Sequence, residues 1–243
     1  MNAIEITGLR KTYGSIEAVA GLDLAIGRGE LFALLGVNGA GKTTTIKMLS
    51  CLTRPTAGDA RLLGHSIVSE PGKVKEVLGV SPQETAIAPN LTVTENLEFM
   101  AGIHGLLARE AKERTREMVA ALGLEAVAKQ RAKTLSGGWQ RRLSIALALV
   151  SRPEILFLDE PTLGLDVLAR RELWQVIGGL KGKVTVILTT HYLEEAEALA
   201  DRIAIMAKGR LMAVGTAAEL LERTGAKNLE DAFVLLAQGG DAQ

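Results

Sequence analysis

The stretch that decides the fold is Gly36-Val37-Asn38-Gly39-Ala40-Gly41-Lys42-Thr43-Thr44, which follows the apolar run 31–35. Its three glycines place no Cβ in the way, so successive backbone N–H groups can surround a polyphosphate. A helix is predicted to begin near Lys42, and its N-terminus directs the positive end of the helix dipole at the same anion. We therefore predict that the whole stretch is a phosphate-binding loop.

Two side chains of this loop have further predicted roles. Lys42 supplies a mobile cation for the outer phosphates, and the hydroxyl of Thr43 can ligate Mg²⁺. A glycine turn with an exposed lysine is the competing interpretation, but the pattern G-x-x-x-x-G-K-[ST] arises by accident in only about one chain in a hundred of this size. The predicted strand before the loop and the helix after it favour nucleotide binding further.

Composition narrows the classes of partner. The chain has 243 residues, of which 47% are hydrophobic, so a sizeable core is available. Its 28 basic and 28 acidic residues balance, which gives no electrostatic reason to expect nucleic acid as a partner. Cys51 is the only cysteine, which excludes an internal disulfide and is typical of a reducing compartment.

The sequence lacks the patterns of export and of membrane insertion. Residues 1–6 alternate polar or charged residues with apolar ones, whereas a signal peptide needs an unbroken apolar stretch. Uncharged runs such as 143–151 reach only about half of the roughly 18 residues that a membrane span requires. We expect a cytoplasmic protein, and any crossing of a membrane would be done by another chain.

Strands and helices alternate along the chain, which is typical of an α/β nucleotide-binding core. Short strands are predicted at 4–6 and 22–26, with Tyr13 in the loop that joins them. Spacing alone makes Tyr13 an exposed turn tyrosine. A helix is predicted after Thr92, because Glu95 stands at the position that completes a capping box.

Two carboxylates stand at the end of the apolar strand predicted for 155–160. Acidic groups at a buried strand end are costly unless a cation or a reaction employs them. Beside a phosphate loop, we interpret Asp159 as the acid on the Mg²⁺ side and Glu160 as the base for water. A helix-capping acid is the alternative, which explains one carboxylate better than two.

Two more polar residues follow predicted strands. Gln83 lies just past the strand 77–81, where α/β sheets collect ligand groups, although an ordinary turn amide explains it equally well. His191 follows the β-branched strand 184–189 and is therefore predicted at the same edge of the sheet. This position favours a functional role for His191 over a structural one.

A second potential anion site lies in the predicted helical region between residues 84 and 150. Ser136, Gly137 and Gly138 precede the apolar helix predicted for 143–150. A serine and two glycines at a helix N-terminus can bind an anion by the same physics as the first loop. Ser-Gly-Gly is also common in linkers, so the motif alone leaves both interpretations open.

In combination, these motifs resemble the ATP-binding cassette family, specifically the separate ATPase subunit of an ABC transporter. The resemblance covers about residues 2–223. The motifs occur in the family's order: Tyr13, the loop 36–43, Gln83, the Ser136-Gly137-Gly138 signature, Asp159-Glu160, Gly164-Leu165-Asp166 and His191.

The resemblance implies the fold class and the domain organisation. The expected fold is α/β, with a P-loop NTPase core that has a mixed sheet, an antiparallel β part and an inserted α-helical subdomain. The implied parts are the ATP-binding core with the antiparallel β part (1–83 and 151–224), the helical signature subdomain (84–150) and a C-terminal tail (225–243). The last residues, 239–243, are expected to fray.

The resemblance also implies a nucleotide site with ATP as the ligand and Mg²⁺ as the cofactor. Tyr13 would stack on adenine, and Lys42 with the loop amides would hold the β- and γ-phosphates. Thr43 and Gln83 would reach Mg²⁺, while Asp159 would bind it through water.

Catalysis and assembly are implied in the same way. Glu160 would polarise the attacking water, and His191 would contact the γ-phosphate. Ser136 and Gly138 would contact ATP bound to a second subunit. This arrangement implies a homodimer or paired cassette that closes on ATP and opens after hydrolysis. The helical insertion and Gln83 would transmit that motion to integral-membrane permease subunits.

One residue departs from the family pattern, since Trp139 stands where the signature usually has glutamine. Two segments, 89–97 and 229–233, resemble ATPases of ABC-2 type exporters. That closer resemblance implies a peripheral position on the cytoplasmic face of the cell membrane.

Two other classes of protein compete with this interpretation. A soluble ABC-type ATPase could act on a ribosome or nucleic-acid assembly, but such proteins usually carry two cassettes or a long coiled coil. A GTPase or small-molecule kinase could use the same loop, but the sequence contains no Asn-Lys-x-Asp guanine motif, and a kinase would not need the signature.

Overall fold

The structure is a computed structural model that describes residues 1–238, so the fraying expected at 239–243 lies outside the described residues. The strands of residues 1–238 are β1 (Asn2–Tyr13), β2 (Ile16–Gly27), β3 (Leu31–Leu35), β4 (Ala57–Leu62), β5 (His65–Ser66), β6 (Leu78–Ser81), β7 (Ile155–Asp159), β8 (Thr185–Thr190), β9 (Arg202–Ala207) and β10 (Arg210–Gly215). The helices are α1 (Lys42–Leu49), α2 (Pro71–Glu76), α3 (Val93–Ile103), α4 (Ala108–Ala121), α5 (Gly137–Leu149), α6 (Val167–Gly178), α7 (Leu193–Leu199), α8 (Ala217–Thr224) and α9 (Leu229–Gln238).

A six-stranded mixed sheet positions the candidate site. Its order is β10-β9-β3-β8-β7-β6, in which β10 runs antiparallel to β9 and the other neighbours are parallel. Strands β3, β7 and β8 are buried along their whole length, which explains why polar residues do not alternate with apolar ones in their sequences. Their carboxyl ends meet at one edge of the sheet, where the phosphate loop, Asp159 and Thr190 lie.

The predicted antiparallel part is a four-stranded sheet in the order β2-β1-β4-β5. A buried cluster joins it to the core, since Leu9 and Leu22 of this sheet pack in one group with Phe32 of β3 and Ile46 of α1. The two sheets and their helices confirm the predicted fold class, an α/β core with a mixed sheet and an antiparallel part.

Strands form at 4–6 and 22–26 as predicted, but the predicted short lengths are wrong. Strands β1 and β2 are each 12 residues long, and they pair from Asn2 opposite Gly27 to Tyr13 opposite Ile16. Tyr13 therefore ends β1 instead of lying in a loop. Register shifts interrupt this pairing, so side chains do not alternate regularly and the period-two pattern is visible only in pieces.

Local sequence predicts the starts of some helices correctly and misses others. Helix α3 begins as predicted, because the Thr92 hydroxyl accepts from the Glu95 N–H at 3.2 Å and the Glu95 carboxylate accepts from the Thr92 N–H at 2.8 Å. The predicted start of α5 at residue 143 is wrong, since α5 begins at Gly137. Helix α2 escapes prediction, although Pro71 at its first position is a signal for a helix start.

The helical insertion is docked firmly on the mixed sheet. Leu97 of α3, Met118 of α4 and Ile145 of α5 belong to one buried cluster with Leu156 and Leu158 of β7. The predicted boundaries of the helical subdomain and of the tail stay predictions. Within the part of the chain that the structure describes, no helix is both long and apolar enough to cross a bilayer.

Candidate active site

A cavity of about 610 Å³ opens at the carboxyl edge of the mixed sheet. The structure brings most of the sequence-predicted site residues to its wall: Tyr13, Asn38, Gly39, Ala40, Gly41, Lys42, Thr43, Thr44, Gln83, Glu160 and His191. Two others support this wall from behind, because Gly36 accepts a hydrogen bond from Lys42 and Asp159 accepts one from Thr43.

Two positions of the phosphate loop require glycine. Gly41 has a φ of +101°, and a Cβ there would lie 2.5 Å from the carbonyl oxygen of Ala18. A Cβ on Gly36 would lie 2.5 Å from the carbonyl oxygen of Met206. The loop can therefore fold back against β2 and β9 only without side chains at these positions.

Lys42 connects the phosphate loop to the acidic end of β7. Its ammonium donates to the carbonyl of Gly36 at 2.7 Å and lies 3.2 Å from Oε1 of Glu160. The residue is only 5% exposed, and a buried ammonium needs anionic or carbonyl partners. A polyphosphate in the cavity would offer further negative charge to the same group.

The oxygen atoms around Asp159 fit a magnesium site. Oδ1 of Asp159 accepts hydrogen bonds from the hydroxyls of Thr43 at 3.1 Å and Thr189 at 2.5 Å. Gln83 lies on the same cavity wall. Hydroxyl, carboxylate and amide oxygens are the donors that Mg²⁺ prefers, and Mg²⁺ usually fills its remaining positions with water and substrate phosphates.

Glu160 is held in an uncommon backbone conformation at the head of the cavity. Its φ is +48°, which is rare for a residue with a Cβ, and its N–H donates to the carbonyl of Thr189 at 3.1 Å. Nδ1 of His191 lies 2.7 Å from Oε2 of Glu160. The carboxylate is thus fixed on both oxygens, by Lys42 on one side and by His191 on the other.

The open end of the cavity includes residues that sequence reasoning misses. Tyr13 is 46% exposed, and beside it on the wall lies Ile16, which is 68% exposed. The turn between β9 and β10 contributes Lys208 and Gly209. A single apolar residue at a strand start and a hairpin turn carry no sequence signal for ligand binding.

The structure does not bring the signature to this cavity. Ser136 and Gly137 are exposed at the N-terminus of α5. A Cβ on Gly138 would lie 3.3 Å from Cβ of Ala169, and one on Gly137 would lie 3.5 Å from Leu165. The signature therefore packs beside the start of α6, apart from the nucleotide cavity of its own chain.

Two buried charged residues behind the site also escape sequence reasoning. Arg141 is 5% exposed, and burial lowers the pKa of its guanidinium. The negative charges of Asp159 and Glu195 raise this pKa and so oppose the effect of burial. Burial raises the pKa of Glu195, and the hydrogen bond from the indole of Trp174 only partly offsets this effect. Neither residue stands in a motif, so only the folded chain reveals them.

Comparison with known proteins identifies the family. The family model described as "ABC transporter" matches residues 19–163, which is more than half of the chain. The chain belongs to the ABC transporter family. It is an ATP-binding cassette that hydrolyses ATP, which confirms the resemblance carried by its motifs.

Similar chains include ATP-binding proteins of drug resistance. The daunorubicin/doxorubicin resistance ATP-binding protein DrrA of Streptomyces peucetius is 45% identical, over 93% of this chain and 69% of the relative. The linearmycin resistance ATP-binding protein LnrL of Bacillus subtilis is 41% identical, over 91% of this chain and 72% of the relative.

Solved structures with the same architecture are ATP-binding cassettes. The ATP-binding subunit of an ABC transporter matches with a TM-score of 0.85 and 29% identity, over 97% of this chain and all of that one. A dimeric cassette in a post-hydrolysis state, bound to ADP and phosphate, matches with a TM-score of 0.78 and 27% identity, over 88% of this chain and 98% of that one.

Proposed function

We propose that this cassette hydrolyses ATP with Glu160 as the general base, in a site completed by a second cassette, and that it powers a membrane exporter. The observation that carries the proposal is the position of Glu160. Its buried carboxylate lies at the head of the phosphate loop, 3.2 Å from Lys42 and 2.7 Å from His191. A carboxylate oriented on both oxygens can align a water molecule with the outermost phosphate.

The other cavity residues account for binding. The N–H groups of the loop and Lys42 hold the β- and γ-phosphates, and Tyr13 with Ile16 offers an apolar surface to the adenine. Thr43, Asp159 and Gln83 would hold Mg²⁺, which supplies neutralisation of charge on the phosphates when bound. His191 holds Glu160 by a hydrogen bond and faces the same cavity.

The signature supplies the argument for a pair of cassettes. Ser136 and Gly138 lie outside the cavity of their own chain, and helix α5 begins there with N–H groups that no side chain caps and that favour an anion. In a homodimer or a paired cassette these groups would meet the γ-phosphate of the other chain. A solved cassette with the same fold is dimeric, which supports this arrangement.

The proposed membrane partner rests on an exposed apolar patch and on the relatives. We define the apolar patch as Phe99, Ile103 and Leu107, which are 58%, 61% and 72% exposed. Phe99 and Ile103 are one turn apart on α3, and the adjoining segment is tied to α3 by Asn96, which bonds both backbone groups of Ala88. The patch fits an apolar segment of an integral-membrane permease subunit.

The relatives that are drug-resistance ATP-binding proteins support an exporter, and the segments 89–97 and 229–233 support the ABC-2 type. The cassette would then work at the cytoplasmic face of the cell membrane. Retention on ribosomes or DNA that salt removes would instead support the soluble alternative.

The test of the proposal is Glu160→Gln. The variant keeps the shape of the side chain but cannot accept a proton, so we expect turnover to fall by about 10² to 10⁴-fold, the usual contribution of a general base. ATP binding should persist. Because hydrolysis opens the pair, the variant should accumulate as an ATP-bound dimer, measured by phosphate release, equilibrium nucleotide binding and light scattering.

Glu154→Gln is the matched control, since Glu154 precedes the same strand at its opposite end and its side chain is 56% exposed. It should retain turnover. Full turnover in Glu160→Gln, or a Glu160→Gln protein that stays monomeric with saturating ATP, would contradict the proposed role of Glu160.

A further inference from the structure

One face of helix α5 lies along strand β6. Residues 141, 144 and 148 share this face, because positions three, four and seven apart recur on one side of a helix. The carbonyl oxygen of Ala148 approaches so closely that a Cβ on Gly79 would lie 2.2 Å from it. One turn earlier, the buried hydroxyls of Ser144 and Ser81 are 2.9 Å apart.

Arg141 extends this contact past the end of β6. One guanidinium nitrogen donates to the carbonyl of Pro82 at 2.7 Å, and another donates to the carbonyl of Gln83 at 2.6 Å. Hydrogen bonds from a charged donor are about twice as strong as neutral ones. Within residues 1–238, Arg141 has no carboxylate within ion-pair distance, so these two carbonyls are its direct partners, while the charges of Asp159 and Glu195 act on it from farther away.

We propose that Arg141 is a positioning residue that joins the backbone of Gln83 to the signature helix α5, so that the two move as one unit. Gln83 lines the nucleotide cavity of this chain. Ser136, at the N-terminus of the same helix α5, would contact the nucleotide bound to a second chain. The inference thus rests on the proposed function and adds to it a connection between the two nucleotides through a single side chain.

The physical basis is the stiffness of the connection. Helix α5 and residues 81–83 are joined by three polar contacts and by close backbone packing at Gly79. A displacement of Gln83 on binding nucleotide is therefore passed to α5 as a rigid-body shift, since packed elements slide or rotate and do not deform. Without the guanidinium, the Gln83 backbone could move independently of the signature.

The chain offers a matched control for a purely structural role. Arg114 of α4 is also nearly buried, with a side chain 11% exposed, and it donates to the carbonyls of Val150 at 3.0 Å and Leu149 at 2.5 Å. It therefore makes the same kind of bond to the opposite end of α5, away from the nucleotide cavity. Loss of either arginine removes two charge-assisted hydrogen bonds to backbone carbonyls, and loss of Arg114 also removes its exposed ion pair with Glu117 at 2.8 Å.

The experiment compares Arg141→Met with Arg114→Met in the full chain. Both variants should lower the unfolding temperature. We expect the kcat of ATP hydrolysis to fall on the order of tenfold to a hundredfold in Arg141→Met only, the scale of loss from a misplaced catalytic group. The dissociation constant for ATP, measured with hydrolysis blocked by omission of Mg²⁺, should be unchanged in both. Arg141→Lys should also lose kcat, because one ammonium cannot fork between two carbonyls.

A second readout follows assembly instead of turnover. In a Glu160→Gln background, Arg141→Met should raise the ATP concentration required for dimer formation, while Arg114→Met should leave it unchanged.

Equal losses of kcat in the two methionine variants would overturn the inference, as would wild-type kcat in Arg141→Lys. The lysine variant keeps the buried charge and so decides the question if Arg141→Met does not fold. A wild-type chain without ATP hydrolysis would contradict the proposed function itself, whereas a hydrolysing wild type with normal Arg141 variants would contradict only this inference.

Discussion

At the scale of single residues, Glu195 shows how burial and hydrogen bonding set a charge. Its side chain is fully buried on α7, and the indole N–H of Trp174 donates to Oε1 at 3.1 Å. Burial raises its pKa, the hydrogen bond from Trp174 lowers it, and the charge of Glu160 raises it further. The net pKa lies above the usual range of a glutamate, which is about 4.3.

The raised pKa predicts a pH dependence of stability. The folded chain keeps the Glu195 proton at pH values where the unfolded chain has lost it, so this residue lowers the free energy of unfolding as pH rises from the unfolded to the folded pKa. Glu195→Gln removes the titration and keeps an acceptor for Trp174. We expect its free energy of unfolding to decline less than that of the wild type between pH 5 and pH 8, measured by urea denaturation.

Glu194→Gln is the control, because Glu194 is the exposed neighbour on the same helix. It should follow the wild-type pH profile. If Glu195→Gln kept the wild-type dependence of unfolding free energy on pH, Glu195 would have the same pKa in the folded and unfolded chains, which would contradict the prediction.

At the scale of elements, the packing of α5 on β6 depends on one missing side chain. Gly79 pairs with Leu156 in the sheet and meets the backbone of α5 on its face. Strand β6 in turn carries Gln83 just beyond its end. The position of Gln83 therefore depends on how closely a helix can approach a strand.

We predict that Gly79→Ala destabilises the chain. The added Cβ would lie 2.2 Å from the carbonyl oxygen of Ala148, so α5 or β6 must shift. Overpacking of this kind costs about 1–3 kcal/mol, which calorimetry or urea denaturation can measure. Gly72→Ala is the control, because nothing lies within 4 Å of a Cβ there. Because Gly72 lies in helix α2, its change to alanine should be neutral or stabilise by up to about 1 kcal/mol. The absence of destabilisation at Gly79 would contradict the packing argument.

At the scale of the whole molecule, the surfaces with separate proposed tasks lie on different elements. The nucleotide cavity is at the edge of the mixed sheet, the signature is at the start of α5, and the apolar patch is at the end of α3 and in the turn before α4. Buried packing connects these elements through the core. A change at the nucleotide can thus reach a partner through rigid elements.

The apolar patch yields a prediction about assembly. Phe99→Glu places a charge on an exposed surface, so the purified cassette should fold and hydrolyse ATP as the wild type does. In cells that contain the transporter's membrane subunits, however, we expect the variant to be lost from the membrane fraction, since an apolar contact cannot bury a carboxylate. Quantitative immunoblots of membrane and soluble fractions measure this.

Leu235→Glu is the matched control, because Leu235 is similarly exposed, at 53%, but lies on α9. It should remain in the membrane fraction. Equal losses of the two variants from the membrane fraction, or retention of Phe99→Glu in it, would contradict the proposal that the permease contacts this patch.

Contiguous sequence determined the phosphate loop, the capped start of α3 and the order of the motifs, because these features depend on neighbouring residues. It also placed Gln83, Asp159, Glu160 and His191 at one edge, since strand ends meet there. Tertiary structure alone decided the full length of β1 and β2, the place of Ile16 beside Tyr13, and the bonds of Arg141 to residues 82 and 83. These are contacts between distant parts of the chain, and their energy comes from burial and geometry that no local pattern encodes.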